Sequence, residues 1–349
     1  MDLSLSETQI QLEESVATFL SRLPPAPMRP QPPTVPDAAW RALANELGLL
    51  GLLVPEAQGG FGAGGPELLV VMEAMARHLF DQPFAEVAVT ALSLLQVAGE
   101  DDLMSRLLAG EAMPVPVLNL VSGTIEKTAE KMTFSGETSL VFPASQATHF
   151  LVSTRCGDED GLLLVEASQA HVRPVATIDE RWAGQVTFDH ASARWLLTGQ
   201  AATEAIEYAE DWALAALCAE ASGVLSRLLD DTVEYTKQRR QFSQPISRFQ
   251  VLQHRMADMF IQYEMAKSAA VLACLSLDKP TPERRKATSA AKMVVADACR
   301  FIAQNAVQLH GGLGMSAETE MTRWFKRAIV IEYQLGSRDD HIQRYMLAA

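Results

Sequence analysis

Arg239, Gln241 and Phe242 stand in "KQRRQFSQPISRFQVLQHR" (237–255), a short break between two long apolar-periodic runs. A guanidinium presents two parallel donors that stay charged, which suits a diphosphate. Phe242, three residues on, would lie against an adenine or shield the anion from water. Pro245 prepares a new helix at once, so the arginine would reach out from a rigid frame. The same residues also fit a plainer use, an arginine capping helix carbonyls beside a core phenylalanine.

A second group is "QNAVQLHGGLGM" (304–315). Gly311 and Gly312 would end a helix, and with Gly314 they would leave backbone amides bare for a ligand. Gln308, one turn back, offers both a donor and an acceptor. A third group, "GGFGAGG" (59–65), contains G-x-G-x-x-G, but no strand precedes it and no βαβ unit surrounds it. It reads as a flexible surface turn and not a nucleotide fingerprint.

The elements that would carry these groups fall into three zones. Residues 1–112 are helical in pattern. Ser6 stands as a cap before an apolar stripe through Ile10, Val16, Phe19 and Leu20. The proline-rich "LPPAPMRPQPPTVP" (23–36) must be a loop or linker. Residues 113–200 change texture to short β-branched runs such as "HFLVSTRC" and "GQVTFDH", the strands of a small antiparallel unit. Residues 201–349 return to long helices. One runs over about 204–237, and the next carries a stripe through Phe249, Leu252, Met256, Met259 and Tyr263. A third covers about 287–309 and a fourth 317–335, and long antiparallel helices of this kind pack as a four-helix bundle. The fold class is therefore mainly α with a central β unit.

Composition narrows the function classes. The 349 residues are 48% hydrophobic, enough for a sizeable core, and the net charge of −14 leaves no basic stripe for nucleic acid. Cys156, Cys218, Cys274 and Cys299 are far apart, form no C-x-x-C pair and read as reduced core thiols. The acidic N-terminus does not look like a signal peptide, and no run of eighteen apolar residues suggests a membrane span. The expected location is cytoplasmic.

Taken together, "RRQFSQPISRFQVLQHRMADM" and "QLHGGLGM" resemble the acyl-CoA dehydrogenase family, and the likeness extends over nearly the whole chain. Stretches such as "LGLLGLLVPEAQGGFG" and "TRWFKRAIVIEYQLGSRDDHI" are similar to small subunits of bacterial pimeloyl-CoA dehydrogenases. They also resemble paired-subunit (α2β2) dehydrogenases of steroid side-chain thioesters. The resemblance implies an N-terminal helical domain (1–112), a middle β-barrel (113–200) and a C-terminal four-helix bundle (201–349). It implies FAD as cofactor, an acyl-CoA substrate and electron-transfer flavoprotein as acceptor. By the same resemblance, Arg239, Gln241 and Phe242 would reach across a subunit interface to the diphosphate and adenine of a neighbour's FAD. Gln308 and Gly312 would bind the same adenosine half, and Gly336 and Ser337 match a Gly-Thr pair that also meets FAD.

The family's reaction removes an α-proton to a carboxylate while the β-hydrogen leaves as hydride to the flavin, so it needs a base opposite the ring. This chain has Leu335 at one family base position and Ala213 at the other, and neither side chain takes a proton. Glu210 and Asp211 precede Ala213, and Asp339 and Asp340 follow Ser337. "PVPVLNLVSGTIEK" and "LVFPASQATHF" replace the ring-side stretches, and Ser243 stands where glycine is usual. The catalytic residue is thus not assigned. The expectation is one subunit of an α2β2 dehydrogenase whose partner supplies ring pocket and base. A homotetramer with a relocated base and a non-catalytic structural subunit are the alternatives.

Overall fold

The structure is a computed structural model, which describes residues 5–23, 31–33, 37–127, 132–156, 159–316 and 319–348. Most of the proline-rich stretch lies outside the described residues. Among the described residues, five α-helices come first: α1 (Glu7–Arg22), α2 (Ala38–Asn45), α3 (Gly65–Arg77), α4 (Leu92–Ala98) and α5 (Asp101–Leu108), with a π-helical segment Phe84–Ala91 leading into α4. Seven strands follow: β1 (Pro114–Val121), β2 (Gly123–Lys127), β3 (Met132–Val141), β4 (His149–Cys156), β5 (Glu159–Glu166), β6 (Ala170–Ala176) and β7 (Trp182–Thr198). The long α6 (Gly199–Gln238) leads into a hairpin of β8 (Arg240–Gln241) and β9 (Gln244–Pro245). The chain ends with α7 (Gln250–Leu275), α8 (Thr281–His310), α9 (Met321–Tyr333) and α10 (Arg338–Leu347). This is the expected helix–strand–helix order, with α10 following the four C-terminal helices located from the sequence.

The chain divides into two compact units, one of residues 1–26, 64–80 and 214–349, the other of 27–63 and 81–213. In the second unit the strands run β1-β4-β5-β7-β3-β2, with β6 on β7. β7 is shared: residues 193–198 pair with β5, while 182–192 pair with β3 and β6. Phe188 of β7 meets Phe134 of β3 at 5.4 Å and Phe150 of β4 at 5.7 Å, so both ladders bury one aromatic centre. One pairing departs from the antiparallel expectation, because β1 runs parallel to β4 from Pro114↔His149 to Val117↔Val152. The turn expected to be flexible at 59–65 is instead fixed. Phe61, Gly62 and Ala63 donate to the carbonyls of Gly51, Val54 and Leu52, and a Cβ on Gly60 would lie 2.2 Å from the Val54 carbonyl.

In the first unit, Ser6 caps α1 as the sequence signalled, and the structure adds a reciprocal box with Gln9; Ile10 is exposed, and Val16, Phe19 and Leu20 carry the burial. α7 departs further from expectation. Of its proposed stripe only Met259 is fully buried, and Phe249, Leu252, Met256 and Tyr263 are half-buried. The helix packs mainly through Ala266, Ala270, Ala273 and Cys274. The approach there is close enough that a Cβ on Gly65 of α3 would lie 2.0 Å from the Cys274 carbonyl. Small residues let helix backbones approach, which turns the larger apolar side chains outward.

α6 has an 18-residue window long and apolar enough to cross a membrane, but 83% of that window is buried inside the protein. Its hydrophobicity is that of a core helix. Cys218, Cys274 and Cys299 are buried free thiols, as expected, and the side chain of Cys156 lies outside the described residues. Burial pushes the Cys218 thiol up to about 12 and raises Cys274 and Cys299 as well, so these three are inert packing groups.

Candidate functional site

α6 ends at Gln238 because the chain turns into a hairpin whose two-residue loop, Phe242–Ser243, has φ of 50° and 66°. Positive φ at both central positions is the type I′ pattern, whose twist matches that of paired strands. This is the physical reason glycine suits the second position, and Ser243 occupies it at a steric cost. The Arg239 N–H donates to the Tyr235 carbonyl at 2.8 Å, and its own carbonyl accepts from the Ile246 N–H at 2.9 Å. The backbone on both sides of Arg239 is therefore fixed while its side chain is exposed. No hydrogen bond or ion pair holds that guanidinium among the described residues. Phe242 is 85% exposed at the hairpin tip and touches Phe249 edge-on at 6.0 Å. Neither residue serves the plainer use, since the arginine caps no carbonyl and the phenylalanine fills no core.

The second group sits at the end of α8. Gln308 is exposed, and Gly311 turns the chain at φ 63°, ψ −139°. A Cβ on Gly311 or Gly312 would meet nothing within 4 Å, so their backbone is open to a ligand. Gly314 is different. A Cβ there would lie 2.8 Å from the Val307 carbonyl, so this third glycine serves packing and is not open to a ligand as expected. The two groups lie at one end of the unit, because Tyr235 of α6 stacks on His310 of α8 with ring centroids 4.2 Å apart.

Gly336 and Ser337 belong elsewhere. Lys292, fully buried in α8, donates to the Glu332 carbonyl at 2.9 Å and the Gly336 carbonyl at 3.2 Å. Lys292 precedes Gln308 by sixteen residues, or about 24 Å of helix, so Gly336 and Ser337 are not brought beside Arg239. The Ser337 hydroxyl donates to the Asp340 carboxylate at 2.7 Å and accepts from its N–H at 3.3 Å, an N-terminal cap for α10.

The same segment explains why no base stands there. Leu335 has φ 60°, an exposed side chain, and a carbonyl accepting from His341 Nε2 at 2.9 Å. Burial depresses the His341 pKa to about 4, so the ring is neutral. The Ser337 hydroxyl holds the Asp340 carboxyl below its ordinary range, the wrong direction for a general base near neutrality. Asp339 is exposed, and Ala213 is buried in the middle of α6. Sequence reasoning missed Tyr235, Lys292, His310 and His341. The signal for two of them was available: Tyr235 lies one helical turn before Arg239, and His310 directly precedes the glycine pair.

Could these residues hold a dinucleotide? An outward guanidinium, an exposed ring and an unobstructed glycine turn fit its diphosphate–adenosine half. Residues for a ring-side pocket with a base are not found at the two family positions.

Comparison with known proteins gives the same direction. Residues 6–112 match the acyl-CoA dehydrogenase N-terminal domain and residues 202–349 the acyl-CoA dehydrogenase C-terminal domain, together most of the chain. The chain is 29% identical over 297 residues to acyl-CoA dehydrogenase IpdE2 of Mycobacterium tuberculosis, covering 84% of this chain and 80% of that one. Among solved structures, the Tcur3481-Tcur3483 steroid ACAD G363A variant superposes with a TM-score of 0.87 at 27% identity, covering 99% and 98% of the two chains. The ChsE4-ChsE5 complex from Mycobacterium tuberculosis shares the fold, with a TM-score of 0.89 at 24% identity over 99% and 98%.

Proposed function

From the premise that this chain belongs to the acyl-CoA dehydrogenase family, we propose that it is one subunit of a two-component, FAD-dependent dehydrogenase of acyl-CoA thioesters. One observation carries the reading. The residues suited to the adenosine side are present and face outward, while both family base positions hold alkyl side chains, Leu335 and Ala213. A site assembled from two chains reconciles these facts, with the partner supplying ring pocket and base.

The surface of α7 supports a partner. Val251, Ile261, Met265 and Leu272 are 50–64% exposed. At 100° per residue they fall within about 80° of one another and extend over roughly 31 Å. Exposed His254 and Asp258 share this face between Val251 and Ile261, so the stripe is apolar at its two ends and polar between, a mixture that fits a non-obligate interface. The steroid-active structural neighbour supports a steroid-type acyl chain as substrate class, electron-transfer flavoprotein is the proposed acceptor, and the cytoplasm the proposed location.

In this arrangement bound FAD supplies the acceptor for the hydrogen leaving the β-carbon. Arg239 neutralises the diphosphate, the Phe242 face covers the adenine, and Gln308 and the Gly312 backbone hydrogen-bond the adenosine half. Gln241, exposed on β8, adds a polar contact beside them. The α-proton is taken by a partner carboxylate.

The test is assembly. Expressed with its partner, the chain forms a yellow oligomer with about one flavin per two chains, since only the partner's half of the chains carries a ring pocket. Arg239→Ala weakens FAD by about 2–5 kcal/mol, the loss of a desolvated charge pair. About one flavin per chain in a self-assembled tetramer, or normal FAD retention by the Arg239 variant, refutes the proposal.

A further inference from the structure

The stack of Tyr235 on His310 has no part in the contacts proposed so far, yet it joins the two segments that make them. The rings lie 4.2 Å apart and 23° from parallel, and the Tyr235 hydroxyl donates to the His310 carbonyl at 3.3 Å. That carbonyl stands where α8 passes into the short 3-10 turn Gly311–Met315, of which His310 is the N-cap. The partner comes from another helix, so the pairing also fixes where the two helix ends stand. His310 is buried, and its Nδ1–H donates to the Ala306 carbonyl at 2.8 Å, which locks the ring against its own helix. Burial lowers its pKa, so the stacked ring is neutral.

Both ends of this strut lead directly to an open site segment. On one side the Arg239 N–H bonds to the Tyr235 carbonyl, and the Arg239 carbonyl closes the base of the Phe242 hairpin. On the other, Gly311 and Gly312 follow His310 without an intervening residue. Gly314 seals the turn against Val307 and His310, where a Cβ would lie within 3.1 Å of the His310 Cβ.

We infer that Tyr235 and His310 are positioning residues that set the separation between the Arg239 hairpin and the Gly311–Gly312 turn, so that one diphosphate–adenosine group is gripped by both. The inference rests on the FAD reading of Arg239 given above. A ligand held at two points depends on their spacing, and a ligand held at one does not.

That difference is the test. FAD affinity is measured by fluorescence titration of the assembled oligomer carrying Tyr235→Leu, Arg239→Ala or both. Tyr235→Leu weakens FAD about tenfold, and adding it to Arg239→Ala weakens binding by less than about twofold more, because the remaining grip needs no spacing. Tyr235→Phe keeps the ring, loses only the hydroxyl bond, and shows a smaller loss with the same non-additivity. It carries the test if the leucine variant does not fold. Amide exchange at Gly311 and Gly312 rises in Tyr235→Leu even without FAD. Unchanged affinity in the Tyr235 variants, or losses that add fully to Arg239→Ala, overturns the inference. No loss in Arg239→Ala alone overturns the FAD reading instead.

Discussion

Replacing Lys292 with methionine isolates what a buried ammonium does in this fold. The side chain is fully buried, burial lowers its pKa, and it donates to two main-chain carbonyls at the end of α9, those of Glu332 and Gly336. Methionine has nearly the same length and no cost of burying charge, which favours the variant. Against this, two acceptors in a region where Glu332 is only 4% exposed lose their donor. Each stranded acceptor costs about 1–3 kcal/mol, so two give about 2–6 kcal/mol before the relief of the buried charge. Removing one side of a buried polar contact is the destabilising case, unlike replacing both. The expected net loss is about 2–3 kcal/mol, read as a lower urea midpoint at unchanged slope. Because the Lys292 pKa is lowered on folding, the unfolded chain binds more protons at alkaline pH. Wild-type stability from this group therefore rises between its folded pKa and the ordinary lysine value near 10.4, and the methionine variant lacks that rise. Amides of residues 335–337 should exchange faster. A Lys292→Met protein as stable as wild type, with unchanged exchange at Gly336, would show that the ammonium does not hold this segment.

Two further outcomes follow from local geometry. Ser243→Gly should stabilise the folded chain by about 1 kcal/mol, because serine occupies φ 66° in the hairpin loop, and chemical denaturation measures it. A destabilised glycine variant would mean the serine side chain makes a contact that outweighs its strain. His341 has a folded pKa of about 4 against an ordinary value near 6.5, so the unfolded state takes up its proton first as pH falls. Its contribution is fully present above pH 6.5 and is lost between about 6.5 and 4, on the order of 3 kcal/mol. His341→Gln should flatten the fall in thermal midpoint over that window, and an equally steep fall would assign the loss to other groups.

Several features were legible in the residues themselves. Ser6 announced the start of α1, and Gly311–Gly312 announced the end of α8, because caps are local chemistry written within four residues. The change to short β-branched runs after Met113 marked the sheet for the same reason. The stripe on α7 misled, since periodicity records that a helix has an apolar face without saying which chain covers it. Here the alanines and Cys274 pack inside the unit and Val251, Ile261, Met265 and Leu272 do not. The parallel β1–β4 pair was hidden too, because strand direction depends on the path between strands and not on their composition.

The sequence by itself determined the helix–strand–helix order, the arginine–aromatic break after α6, the glycine turn after α8 and the lack of an acid at Leu335 and Ala213. Those are properties of residue type and spacing along one chain. Only the tertiary structure decided that the arginine hairpin and the glycine turn share one end of a bundle, that Gly314 packs while Gly312 lies open, and that Gly336 sits far along α8 under a buried lysine. Each of these turns on which groups approach through space, where a separation of seventy-five residues can become a 4.2 Å stack between two rings.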